Sequence, residues 1–260
     1  RPLDDLIREA QLLEQSGIKE LTLIAQDLTA YGLDLGANRE RLDDLLKALL
    51  AETDILWIRM LYLYPMRLNQ SILDLVAKNE RILPYFDIPL QHISNRVLKA
   101  MNRPYDRQSV EELLASIKKR LPEAAIRTTF MVGFPGETAE DVDELAEFMV
   151  VQRLNHVGIF TYSNEDGCEA AKLPNQCDEE EKEARKERLM AIQADISLGA
   201  NRRLIGTTQP VLVEGLSSES DLLLEGRSRY QAPEIDGCIY ITAGNSMPGA
   251  IVEVKITEAH

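Results

Sequence analysis

Apolar residues at Leu3, Leu6, Ile7, Ala10 and Leu13 recur at helical spacing, and Gly17 stands where such a helix would stop. IKELTLIAQD then reads as a strand rich in Leu, Ile and Thr. RLDDLLKALLAE predicts a second helix, ILWIRMLYLYP a strand and NQSILDLVAKN a helix. LPYFDIPLQH predicts the next strand, followed by the short helix SNRVLKAMN and the longer SVEELLASIKKRL. RTTFMVGFPGET begins as a strand of β-branched and apolar residues and ends in Gly-Phe-Pro-Gly. Thr138, with Asp141 three positions on, offers a capping box for the helix that follows, and NHVGIFTYS predicts one more strand.

Helix and strand alternate five times with no tight hairpin signal, which implies βαβ crossovers and a parallel sheet. In such folds chemistry gathers where the C-terminal ends of strands meet the loops. Here those ends carry Gln26 and Asp27, Tyr62 and Tyr64, Gln91 and His92, Gly133 and Glu137, and Tyr162 and Ser163. The series points to groups arranged around one mouth. Gly133 and Gly136 fit either an ordinary strand-to-helix turn or a close approach of backbone to something bound.

The pattern changes at Asp178. A long amphipathic helix follows, with Leu189, Ile192 and Ile196 on one stripe and a charge run read as a solvated face. Its acidic start suits the positive end of a helix dipole. After Gly206 the stretches QPVLVEG, DLLLEGRSRYQAPEIDGCIYIT and GAIVEVKIT read as short strands of a small antiparallel barrel. The expected organisation is an α/β barrel over residues 1–177, a connecting helix over 178–204 and a small β-barrel domain over 205–260.

Acidic residues number 43 against 29 basic, a net charge of −14. That balance opposes a phosphate backbone and suits a basic protein partner. No apolar run reaches the roughly 18 residues of a membrane span, and no signal peptide is read. Cys168, Cys177 and Cys238 form no metal motif and no disulfide framework, so they read as incidental thiols of a cytoplasmic protein. The chain opens at Arg1 within a helix, as a piece of a longer protein would.

The segments LIAQDLTAYG, LYLYP, IPLQHISNRVLKAMNR, TTFMVGFPGET and FTYSNEDG, in this order, resemble the radical S-adenosylmethionine (SAM) methylthiotransferases. The last segment resembles their TRAM module. AQD and APEIDG resemble the branch that methylthiolates the β-carbon of an aspartate in ribosomal protein S-twelve, rather than the tRNA-modifying branch. The resemblance implies a partial TIM-like radical-SAM barrel followed by a small, OB-like TRAM barrel. It implies SAM across the strand ends and two [4Fe-4S] clusters, whose cysteine ligands would lie upstream of Arg1. By itself the chain would then hold no cluster and would not catalyse.

The resemblance assigns SAM contacts to Ala25, Gln26 and Asp27, which match the site for the SAM ammonium, and to Gln91, His92 and Ser94 for ribose or methionine. It places Gly133 beside the adenosine. Arg59 and Arg127 fit either a carboxylate of SAM or substrate, or a neighbouring acidic side chain. Tyr62, Tyr64 and Phe160 fit either barrel core or adenine-facing groups, and His92 fits a structural histidine as well as a ligand. In residues 205–260 eight acidic side chains stand against three basic ones. That acidity favours a basic ribosomal protein over tRNA as the partner. A non-catalytic binding module is the reading from another class.

Overall fold

The structure, a computed structural model, describes residues 1–36, 40–165 and 167–260. Asp166 of the FTYSNEDG stretch lies outside the described residues. Helix α1 (Leu3–Gln15) leads to β1 (Glu20–Leu23), α2 (Leu42–Glu52), β2 (Trp57–Met60), α3 (Gln70–Lys78) and β3 (Ile82–Asp87). Helices α4 (Asn95–Ala100) and α5 (Arg107–Arg120) precede β4 (Ala125–Val132), α6 (Ala139–Gln152) and β5 (His156–Thr161). Then come α7 (Glu179–Leu204), β6 (Thr208–Ser217), β7 (Ser220–Ser228), β8 (Ile239–Ile241) and β9 (Ile251–Lys255). The chain divides into two compact units, and the parallel strands follow chain order: β1-β2-β3 in the first unit and β4-β5 in the second.

The first unit comprises residues 1–87, 118–125 and 204–259. Local chemistry sets its helix ends. The Asn69 side chain accepts the Ile72 N–H at 3.1 Å at the start of α3. After α1, Gly17 takes φ +90° and its N–H reaches Glu14 O at 2.8 Å. Leu21 pairs with Ile58 and Leu23 with Met60 in the β1-β2 ladder. Pairing ends there, so β1 is shorter than its sequence run, and Ile24, Ala25 and Gln26 stand exposed beyond it.

The antiparallel sheet β8-β7-β6-β9 belongs to the same unit. Its Leu212, together with Ala232, joins Trp57, Leu61, Leu83, Tyr85 and Ala125 in one buried cluster. Buried charges bind the two sheets as well. Glu20 Oε1 meets Arg59 Nε at 2.5 Å, Glu20 Oε2 meets Arg227 Nη2 at 2.9 Å, and Arg227 Nε meets Glu214 at 2.7 Å. Arg59 also donates to Arg229 O at 3.1 Å. Of the two roles open to Arg59, the ion pair with a neighbouring glutamate is the one present.

The second unit comprises residues 88–117, 126–203 and 260. Strand β4 alternates buried and half-buried positions and pairs with β5 from Arg127–His156 to Val132–Thr161. The expected capping box forms at α6, where Thr138 N–H reaches Asp141 Oδ2 at 2.8 Å. Helix α7 departs from expectation. Its buried face is Lys182, Arg185, Leu189 and Gln193, so two members of the charge run are not solvated. The reason is the surface it covers. Arg185 pairs with buried Glu137 at 2.7 Å, and Gln193 Nε2 donates to Leu154 O at 3.1 Å. A polar loop and open carbonyls call for charge and amide where an aliphatic stripe would leave them unpaired.

Candidate functional site

In the first unit the chain leaves β1 through exposed Ala25 and Gln26 to half-buried Asp27. Asp27 Oδ2 pairs with Arg67 Nη1, and Oδ1 accepts the Thr29 hydroxyl. Leu28 N–H donates to Tyr62 O at 3.0 Å, which brings the ends of β1 and β2 together. Tyr62 takes φ +57°, a left-handed conformation that costs a bulky residue of order 1 kcal/mol. It is held there by buried Asp87, whose Oδ2 accepts the Tyr62 N–H at 3.0 Å. The Tyr62 side chain is 44% exposed, so of its two expected roles barrel core is not the one it fills. Tyr64 is half-buried beneath the Arg67 guanidinium.

In the second unit Gln91 also adopts a left-handed φ of +62° and bridges to Phe130. Its N–H donates to Thr129 O at 2.9 Å, and its carbonyl accepts the Met131 N–H at 2.7 Å. His92 is fully buried: its Nδ1 accepts the Ser94 N–H at 3.0 Å, and its Nε2 lies 3.6 Å from Glu137 Oε2. Ser94 is buried too and donates to Asp141 at 2.6 Å. Gly133, at φ +74°, donates its N–H to both oxygens of Glu137, at 3.0 and 3.1 Å. A side chain at Gly133 would meet Lys182 Cγ at 2.3 Å, so the α7 lysine stem occupies the space beside it. The Phe160 ring is 57% exposed and flanks Gly158 together with the half-buried Arg127.

Within its unit, then, Asp27 is brought beside Tyr62, and His92 and Ser94 are joined to the Gly133–Glu137 turn. Arg67, Thr29, Asp87, Lys182 and Arg185 enter through contacts from elsewhere in the chain that periodicity does not display. Arg67 alone had a local signal, as a cation just past a strand end.

Cys168 and Cys238 are exposed and Cys177 is half-buried, all as free thiols. Burial, reinforced by the hydrogen bond to Glu181, pushes the Cys177 thiol up to about 11, which disfavours the thiolate a metal needs. Among the described residues no group of three or more His, Cys, Asp or Glu is placed to hold a metal ion. Among them, too, no helix is long and apolar enough to cross a membrane.

Comparison with known proteins bears on the family of the chain. The TRAM domain family matches residues 205–260. The ribosomal protein uS12 methylthiotransferase RimO of Desulfotalea psychrophila is 50% identical over 259 residues, covering 100% of this chain and 58% of that protein. The protein of the same name from Pelobacter propionicus is 47% identical, with 100% and 57% covered. The chain thus spans a little over half the length of these curated relatives. The solved structure of coproporphyrinogen III oxidase (HemN) from Escherichia coli superposes with a TM-score of 0.54 at 12% identity, over 87% of this chain and 59% of that one. That likeness bears on the fold alone. The Radical SAM superfamily matches residues 1–149, more than half of the chain and the stretch that carries all of β1 to β4, and the chain belongs to that superfamily.

Proposed function

We propose that this chain is the SAM-binding and substrate-recognition part of a methylthiotransferase that modifies the β-carbon of an aspartate in ribosomal protein uS12. The observation that carries this reading is the 50% identity along the whole chain to a uS12 methylthiotransferase. Two features of the first unit fit SAM: a half-open carboxylate at Asp27 and an exposed aromatic on strained backbone at Tyr62. Asp27 would accept the ammonium, with the Ala25 and Gln26 carbonyls beside it. In the second unit the exposed ring of Phe160 and the strained Gln91 are the groups assigned to ligand. His92 and Ser94 would act from behind, by holding the turn at Gly133, and Arg127 would line the strand end. Bound SAM, with a reduced iron–sulfur cluster, supplies a methyl group and homolytic C–H activation.

For the partner we infer that residues 205–260 bind uS12 through their acidity. Eight acidic side chains against three basic ones repel a phosphate backbone and attract a basic protein. The place of action is then the cytoplasm, with its ribosomes. The test is full-length protein of this sequence, reconstituted anaerobically with iron and sulfide, offered uS12 and tRNA in parallel. Mass spectrometry is expected to find one methylthio group on a uS12 aspartate, and salt-sensitive binding of uS12. A methylthio group on tRNA with uS12 untouched would replace this reading by the tRNA-modifying one.

A further inference from the structure

Strand β6 turns into β7 through Ser217 and Ser220, which pair across the end of the hairpin. The Ser217 hydroxyl accepts the Glu219 N–H at 3.1 Å, and the Ser220 hydroxyl accepts the Leu222 N–H at 3.2 Å. The turn is thus tied by its own side chains. Leu216 stands opposite Leu224, and Leu224 opposite Ile241, which puts the three on one face of the sheet. Leu222, two residues before Leu224, shares that face. Along the strands the face becomes the buried cluster of Val211, Val213 and Ile241, against which Leu224 packs. At the end of the hairpin it is bare: Leu216 is 62% exposed and Leu222 91%.

Single exposed leucines are ordinary on a protein surface, but two that continue a core on one face mark a contact. The charges of the same hairpin say with what. Residues 208–228 hold four acidic residues and one basic, Arg227, which is buried and paired with Glu20 and Glu214. Glu219 stands exposed at the turn, and Glu225 lies half-buried in register with exposed Tyr240. A second copy of this chain, with its net charge of −14, would set acid against acid, whereas a basic protein would not. We propose that uS12 docks on this end of the hairpin, apolar side chains of uS12 covering Leu216 and Leu222 while its cations meet Glu219 and Glu225. This rests on the reading that residues 205–260 bind uS12. It adds a division of roles: the acids speed encounter, and the leucines hold the complex once it has formed.

The experiment measures association and dissociation of uS12 on the full-length protein at low and at high salt. Leu222→Ser is expected to weaken binding by roughly tenfold, through faster dissociation and by the same factor at both salts, since apolar burial is not screened. Leu222→Met keeps the apolar area and should bind within about twofold of wild type. Glu219→Gln should slow association at low salt and leave dissociation within about twofold. With Leu222 so open, its variants should melt at the wild-type temperature, which separates the effect from misfolding. Wild-type affinity in both Leu222→Ser and Leu216→Ser would overturn the docking site while leaving uS12 as the partner. A loss in Leu222→Met as large as that in Leu222→Ser would overturn it too. Wild-type protein that binds no uS12, or binds tRNA in its place, would instead remove the reading on which the site stands.

Discussion

His92 ends a strand run in the sequence, yet solvent does not reach it. Because Nδ1 accepts the Ser94 N–H, the neutral ring carries its proton on Nε2, facing Glu137 at 3.6 Å without a hydrogen bond. Burial holds its pKa down at about 4 from the ordinary 6.5; Asp141 opposes that shift, while Arg96 and Arg185 add to it. The unfolded chain takes up this proton near the ordinary value and the folded chain only near 4. The contribution of His92 to stability is therefore whole above that ordinary value and is lost as pH falls toward 4. Glu137 titrates with the opposite sign, since burial raises its pKa and the folded state keeps its proton longer as pH rises. We expect His92→Gln to flatten the decline of the melting temperature between about pH 7 and about pH 5. An unchanged slope would show that His92 does not carry it. The polar strand end was legible in the sequence. What was not is that His92 points inward, because that depends on Ser94, Asp141 and Glu137 closing around it.

At the scale of elements, the turn GFPGET and helix α7 form one assembly within the second unit. In the sequence Gly133 fits either an ordinary strand-to-helix turn or a close approach of backbone to something bound. The structure shows the Lys182 stem there, with Arg185 on Glu137 beside it, a contact between segments some 50 residues apart that spacing cannot reveal. Gly133→Val adds a branched side chain at φ +74° and 2.3 Å from Lys182 Cγ. Left-handed strain and overpacking together are expected to cost about 3 kcal/mol in urea unfolding, with or without ligand. A loss of SAM affinity in that variant would therefore say nothing about ligand contact. Arg185→Ala should cost about as much, roughly 3 kcal/mol, because it strands a buried Glu137. If Arg185→Ala unfolds like wild type, the α7 clamp is not what holds the turn. The same packing explains why the charge run misled: Leu189 is buried as its stripe implies, but the partner surface is polar as well, so Lys182 and Arg185 are buried with it, and amphipathic periodicity reports only apolar faces.

For the first unit as a whole, alternation made the parallel strands legible, and the Gly- and Pro-punctuated runs after Gly206 made the small sheet legible. Nothing in either pattern announces that they share a core, since that depends on Leu212 and Ala232 meeting Trp57 and on Glu20 lying between Arg59 and Arg227. The consequence is testable with the chain's one tryptophan, Trp57, which is 5% exposed within that shared cluster. A chain ending at residue 204 loses Leu212, Ala232, Arg227 and the Arg229 carbonyl together. It is expected to show red-shifted Trp57 emission and a broad, early thermal transition, because exposed Trp57 and Tyr85 have nothing to replace the cover. Glu20→Gln makes the same point in the intact chain. It leaves Arg59, fully buried, and Arg227, 6% exposed, facing each other without the shared carboxylate. Buried Arg59 stripped of its carboxylate, beside an Arg227 that keeps only Glu214, is expected to cost about 3 kcal/mol or more. Arg227→Met should cost clearly less, since Arg59 keeps Glu20 and the released Glu214, 37% exposed, can turn to water. Urea titrations followed at Trp57 decide it: equal midpoints for Glu20→Gln and Arg227→Met would show that the shared carboxylate is not what joins the small sheet to the first strands.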